Sequence, residues 1–203
     1  MPRPSVEAER REQILDATCV VIADVGLQDL HLSDVAKVAG VSSGMVHYYF
    51  ASKKELVNSA FEFNFSNSLE RRQWMLTSDK DPLSVLQDLV ESYLPTGDRA
   101  MRAWRVWAEL WAEGMRAEAL QEVNERLYGQ WRNVVAEVIQ KAQEQGLARP
   151  GDPLLMANML IGMLDGLAVQ VLLRSPSMPL RTMRDTCHAF IDQVLARGSD
   201  QAP

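Results

Sequence analysis

The small and polar residues that could do chemistry in this chain are concentrated in one segment, LSDVAKVAGVSSGMVHYYFASKKEL, from Leu32 to Leu56. Three lysines and no acid lie between Val35 and Lys54, although the whole chain carries a net charge of -6. Lysines suit the phosphates of a nucleic acid, and small residues at a helix N-terminus let the backbone approach them closely. The segment therefore predicts a nucleic-acid contact in an otherwise acidic protein.

Two short helices joined by a tight turn would position these residues. One is predicted from about Ser33 to Ala39 and the next from about Gly44 to Phe50, with Gly40 in the turn and Ser42 or Ser43 as the cap. The N-terminal residues of the second helix in such a helix-turn-helix reach base edges in the major groove. The residues predicted there are Ser42, Ser43, Gly44 and Met45, followed by His47, Tyr48 and Tyr49, with Lys53 and Lys54 close to the DNA backbone.

Several of these residues also have a purely structural interpretation. Tyr48 and Phe50 favour packing between helices over base contact, whereas Tyr49 fits either role. His47 could be an ordinary exposed polar residue and Lys54 a solvated surface charge. The basic residues near the N-terminus suit the polar face of the first helix better than a phosphate-tracking arm: Arg3, Arg10 and Arg11.

The remaining sequence predicts helix after helix, because no stretch alternates apolar and polar residues as a strand would. Ser52 and Glu55 form a capping-box pattern that begins the fourth helix. The other predicted helices cover about Ser5 to Val25 and residues 82–94, 99–113, 118–145, 154–173 and 180–196. We predict an all-α fold with an N-terminal three-helix helix-turn-helix DNA-binding domain, residues 1–56, and a C-terminal helical bundle for ligand binding and dimerisation, residues 57–203.

Aromatic residues are the main candidates for chemistry in the C-terminal part. Trp104, Trp107 and Trp111 recur at i, i+3 and i+7, so they share one helical face. Such a stripe is either solid core or one wall of a ligand cavity between helices. Asp165 lies in an apolar helix, where an unpaired carboxylate is costly, so it serves packing, a dimer or a ligand. The candidate ligand contacts are Phe65, Tyr93, Trp104, Trp107, Glu109, Trp111, Tyr128, Trp131, Met163 and Asp165.

Other classes of function find little support in the sequence. Three histidines and two cysteines form no metal-binding or nucleophile motif, so we predict no enzyme, no metal and no cofactor. Cys19 and Cys187 give no disulfide framework, which favours a reducing cytoplasm. The apolar stretch Leu154 to Leu173 contains Asp165 near its middle, which argues against a membrane span.

The first 56 residues resemble the TetR family of repressors, through helix one and the pattern G-V-S-x-G-x-x-x-x-Y-F-x-x-K-x-x-L. This resemblance implies that Ser43, Met45, His47 and Tyr49 face DNA, that Lys53 holds a phosphate, and that Ser33 is a further contact. The family usually has Tyr at the position of His47 and often Thr or Ser at that of His31.

Residues from about Trp104 to Pro179 resemble the C-terminal domain of the BetI-like branch of this family, named after a choline-sensing regulator. That resemblance implies a homodimer formed by the last two helices. A cationic ligand would suit aromatic rings with Glu109, Glu113 or Asp165 nearby, although a large hydrophobic ligand fits as well.

The predicted mechanism is repression of a near-palindromic operator that a small-molecule inducer relieves by shifting the fourth helix. The alternative is a helical adaptor, or a DNA-binding regulator controlled by a protein partner.

Overall fold

The computed structural model describes residues 6–197, and the elements in this range are helical, as predicted. The predicted first residue of helix one, Ser5, lies outside that range. The helices are α1 Val6–Val25, α2 Leu32–Ala39, α3 Ser43–Tyr49, α4 Lys53–Leu76, α5 Pro82–Tyr93, α6 Gly97–Gly114, α7 Glu118–Glu144, α8 Pro153–Leu172 and α9 Leu180–Phe190.

The first of two compact units contains residues up to Leu69 together with residues 101–127. Its core includes Ile14 and Ile22 of α1, Val35 of α2 and Phe61 of α4, all at most 2% exposed. The backbone of Gly40 has a φ of 64°, and the Gly40 N–H donates to the carbonyls at the end of α2. This left-handed cap ends α2 and lets α3 begin three residues later.

The second unit contains residues 70–100 and those from Tyr128 onward. Fully buried residues from four helices form its core: Leu86, Ile139, Ile161 and Met183. The sequence predicts one helix from residue 180 to 196, but α9 ends at Phe190 and a π-helical turn, Ile191–Leu195, follows. Arg149 explains the difference, because its backbone N–H and side chain donate to carbonyls of this turn and of Ala196 from outside the helix.

Ser52 caps the N-terminus of α4, as the sequence predicts. The Ser52 hydroxyl accepts the N–H of Glu55, which is one half of a capping box at α4, and the Glu55 carboxylate accepts the N–H of Ala51 in place of that of Ser52. Both cysteines, Cys19 and Cys187, are free and buried.

Helix α8 is, among the described helices, the one long and apolar enough to cross a membrane by length and composition. Only 28% of its most apolar window is buried within the chain. Four of its exposed residues recur every three or four positions: Leu155, Met159, Gly162 and Gly166. A helix that covers the core on one side and carries a regular apolar stripe on the other suits a helical partner as well as lipid.

Candidate DNA-binding surface and effector site

The helix-turn-helix presents the N-terminal end of α3 to solvent. Ser42 is the N-cap, and its Oγ accepts the N–H of Met45 at 3.2 Å. Val46 faces the core at 1% exposure, while the residues on either side of it point outward. The exposed residues at this end of α3 are Ser42, Ser43, Gly44, Met45, His47 and Tyr48.

The aromatic residues at the end of α3 differ in how far they are exposed to solvent. Tyr48 is 78% exposed, so the expectation that it packs between helices is wrong. Its ring lies edge-on to Tyr49, with 5.2 Å between centroids, and Tyr49 is half-buried. Phe50 is 2% exposed, and the Arg11 guanidinium lies 4.9 Å from its ring centroid. Phe50 is therefore core, as the sequence favours.

The positive charges and the polar start of α2 are also on the surface. Lys53 and Lys54 are exposed in the first turn of α4, and Ser33 is exposed in the first turn of α2. His31 is the N-cap of α2, and its side chain makes no capping hydrogen bond. The structure thus leaves the predicted DNA contacts available to a groove, and their individual roles stay predictions.

Within the first unit, side chains of α6 form hydrogen bonds with the turn that follows α1. The Glu109 carboxylate accepts the N–H of Leu27 at 2.8 Å, and a Cβ on Gly26 would lie 3.2 Å from it. Gln28 donates to Glu113 at 2.8 Å. Glu109 therefore has a structural partner, and its predicted ligand contact would have to coexist with that bond.

The tryptophans of α6 form one cluster, as their spacing predicts. The Trp104 and Trp107 centroids lie 6.3 Å and 5.9 Å from that of Trp111, and Phe65 stands edge-on to Trp107 at 6.4 Å. The Trp111 Nε1 donates to Asn124 at 3.1 Å. Trp104 is 6% exposed, so it serves as core of this unit.

A second aromatic cluster lies in the other unit. The Tyr93 and Trp131 rings stack at 5.2 Å and 14° between planes. The Tyr128 hydroxyl donates to Asp165 Oδ2 at 2.5 Å. We call these four residues the effector cluster. Met163, two residues before Asp165, is half-buried.

Burial sets the electrostatics of the effector cluster. Loss of solvent raises the pKa of Asp165 to about 6, and the hydrogen bond from Tyr128 partly offsets that rise. Burial, with the adjacent Asp165 charge, raises the pKa of both Tyr93 and Tyr128. The hydroxyls stay neutral donors at neutral pH, while the carboxylate carries a negative charge that costs folding free energy.

Sequence reasoning missed Arg72, which completes this region. Arg72 is 7% exposed, and its guanidinium carbon lies 4.6 Å from the Tyr93 centroid and 5.5 Å from that of Trp131. Its Nε donates to Ser92 Oγ at 2.8 Å, and its Nη2 to the Ser92 carbonyl at 3.0 Å. The available signal was helical spacing, because Phe61, Phe65 and Arg72 recur on one face of α4.

Family models match both parts of the chain. "Bacterial regulatory proteins, tetR family" matches residues 14–60, and "BetI-type transcriptional repressor, C-terminal" matches residues 82–196. The HTH-type transcriptional regulator BetI of Proteus mirabilis is 29% identical over 96% of both chains. That of Serratia proteamaculans is 31% identical over 86% of both. A putative transcriptional regulator from Saccharomonospora viridis, solved in complex with choline, is 29% identical, with a TM-score of 0.86 over 94% of this chain and 99% of that one.

Proposed function

Because the chain belongs to the TetR family of transcription regulators and has their BetI-type C-terminal domain, we propose that it represses a near-palindromic operator as a homodimer and releases it on binding a small cation. The chain is a DNA-binding regulator and not an enzyme. We place its action in the cytoplasm, where the DNA lies. The observation that carries the proposal is the exposed N-terminal end of α3, capped by Ser42 and followed by Lys53 and Lys54.

Gly44 gives the sharpest test of the DNA-binding surface. A Cβ at this position would meet only the Ser42 hydroxyl, at an ordinary 3.8 Å, so Gly44→Ala should not disturb the free protein. An alanine in a helix is even favoured over glycine by about 0.5–1 kcal/mol. Close approach of the α3 backbone to DNA would be blocked, and operator affinity should fall about tenfold or more.

Fluorescence anisotropy with DNA from upstream of the protein's own gene measures this loss, at several salt concentrations. Ser66→Thr, which adds one methyl group at an exposed position of α4, is the matched control. Wild-type affinity in Gly44→Ala, or binding that salt does not weaken, would show that α3 is not the DNA-binding element.

The proposed dimer joins two copies through α8 and α9. The stripe on α8 supports it, because Leu155 and Met159 are each about half exposed and large exposed apolar patches mark interfaces. A Cβ on Gly162 or Gly166 would meet nothing within 4 Å in the chain, so a partner helix could approach these positions closely. Operator binding by such a dimer requires that its two α3 helices lie about 34–36 Å apart, one turn of DNA.

Met159→Glu should convert the dimer to monomers in sedimentation experiments, because a carboxylate would be buried without a partner at the interface. Asn133→Glu, at an exposed position of α7, adds the same charge elsewhere and should leave the dimer intact. If Met159→Glu sediments as the wild type does, α8 does not form the interface.

The proposed effector is a small cation held by the effector cluster. Aromatic faces and a nearby, partly buried carboxylate such as that of Asp165 are the groups that bind a quaternary or protonated amine. The choline complex of the similar Saccharomonospora viridis regulator supports the same class of ligand. Thermal-shift measurements with choline and its neutral isostere, in which a tert-butyl group replaces the trimethylammonium, test the charge requirement. Stabilisation by the neutral compound alone would refute a cationic effector.

A further inference from the structure

We propose that Arg72 is a built-in occupant of the effector cluster, which a cationic effector must displace from Tyr93 and Trp131. The inference rests on the proposed function, since it concerns the same site. It adds a residue that sets the affinity and selectivity of the site.

The geometry places a cation of the protein against both stacked rings. The Arg72 guanidinium carbon and the two ring centroids form a triangle with sides of 4.6, 5.5 and 5.2 Å. An ammonium ligand interacts with aromatic faces at the same range of distances, within about 6 Å of a centroid. Arg72 and an ammonium ligand therefore require the same faces of Tyr93 and Trp131.

Further contacts keep Arg72 in this position. Arg72 donates hydrogen bonds to the hydroxyl and to the carbonyl of Ser92, in the last turn of α5. The carboxyl end of a helix favours a cation, so this carbonyl is a suitable acceptor. The Ser92 hydroxyl in turn donates to the Leu89 carbonyl at 2.7 Å, which fixes its orientation. A ligand that takes the ring faces must also break the link that Arg72 makes between α4 and α5.

The remaining charges of the site fit an exchange of one cation for another. Asp165 is bonded to Tyr128 and raises the pKa of Tyr93, so it lies close enough to attract an incoming cation. Arg132 lies 5.6 Å from the Tyr128 centroid, on another ring from that of Arg72. If an ammonium ligand replaces the Arg72 guanidinium, one positive charge still lies beside Tyr93 and Trp131. A neutral ligand of equal size would leave these two rings without a positive charge.

Removing the competitor should strengthen binding of a simple cation. Arg72→Met keeps an unbranched apolar side chain and removes the guanidinium group, and we expect it to bind tetramethylammonium about tenfold more tightly than the wild type. Arg105→Met, which removes an exposed arginine of α6, is the matched control and should bind as the wild type does. Titrations use the full-length protein at constant ionic strength, with 5-fluorotryptophan resonances as the readout and Trp131→Phe to assign the relevant signal.

Two measurements keep the test decisive if Arg72→Met does not fold. Arg72→Lys retains a cation that cannot make both Ser92 bonds and stack as a plane, so its affinity should be intermediate. In the wild type, the Arg72 Nε–H is protected by its bond to Ser92 Oγ, and tetramethylammonium should abolish that protected resonance.

Equal or weaker binding by Arg72→Met, or a persistent Nε–H resonance in the saturated wild type, would overturn displacement and leave the cationic site standing. If neither the wild type nor any variant binds the cation, the cationic effector fails together with this inference. Operator binding, measured separately through Gly44, is independent of both results.

Discussion

Replacing Asp165 with asparagine should stabilise the folded protein near neutral pH and have little effect in acid. The pKa of Asp165 rises from 3.8 to about 6 on folding, so the native state disfavours the carboxylate. A pKa shift of this size lowers the unfolding free energy at pH 7 by about 3 kcal/mol. We expect an effect of about 2 kcal/mol, because solvent reaches part of the Asp165 side chain. The wild type loses this stability as the pH rises from 3.8 through about 6. Asparagine has the same shape and an oxygen that can accept the Tyr128 hydrogen bond.

Urea unfolding at several pH values between about 4 and about 8 measures the difference, which should grow with pH across that window. In thermal unfolding it corresponds to about 4–8 °C for a chain of this size. Glu137→Gln, which removes an exposed acid of α7, is the control and should change stability little at any pH. If Asp165→Asn is no more stable than the wild type at pH 7, or if its advantage does not depend on pH, the carboxylate is not buried at a cost in the native state.

Three further substitutions each test one residue whose side chain makes hydrogen bonds with the backbone. Arg149→Met should lower the unfolding free energy by about 1–3 kcal/mol, measured by urea unfolding, because carbonyls beyond α9 lose their donor; unchanged stability would contradict this. Glu109→Gln should weaken the bond to the Leu27 N–H and speed hydrogen exchange at that amide, whereas unaltered exchange would mean the bond does not form in solution. Ser42→Ala should lower operator affinity and thermal stability together, since α3 loses its cap at a cost of about 1 kcal/mol. A loss of operator affinity without a loss of thermal stability would instead point to direct contact between Ser42 and DNA.

The sequence predicts those features that depend on neighbouring residues. The cap of α4 needs only Ser52 and the N–H of Glu55, three positions apart, and the turn before α3 needs only a glycine that accepts φ 64°. The common face of the tryptophans on α6 follows from helical spacing alone. Each of these signals is complete within one helix or turn, so no knowledge of the tertiary fold is required.

Contacts between distant residues were beyond the sequence because they depend on how the helices pack. The hydrogen bond between Tyr128 and Asp165 spans 37 positions, and that between Glu109 and Leu27 spans 82. Both acids are predicted as partners of a ligand, and nothing local distinguishes a carboxylate that faces a ring cluster from one that holds a turn. Tyr48 was misassigned for a related reason, because large aromatic residues are often buried and no neighbouring residue indicates that this one is exposed.

The buried polar residues differ in whether packing of the helical core is enough to explain them. Three polar residues are buried among residues 6–197: Thr18, Asn64 and Arg72. Thr18 and Asn64 donate to the carbonyls of Ile14 and Ala103, which satisfies them as ordinary parts of a helical core. Arg72 also lies against two aromatic faces, and a guanidinium is costly to bury even with such contacts. A stable core does not require this arrangement, since an apolar side chain would fill the same space. The proposed exchange of Arg72 for a cationic ligand would explain why the chain bears this cost.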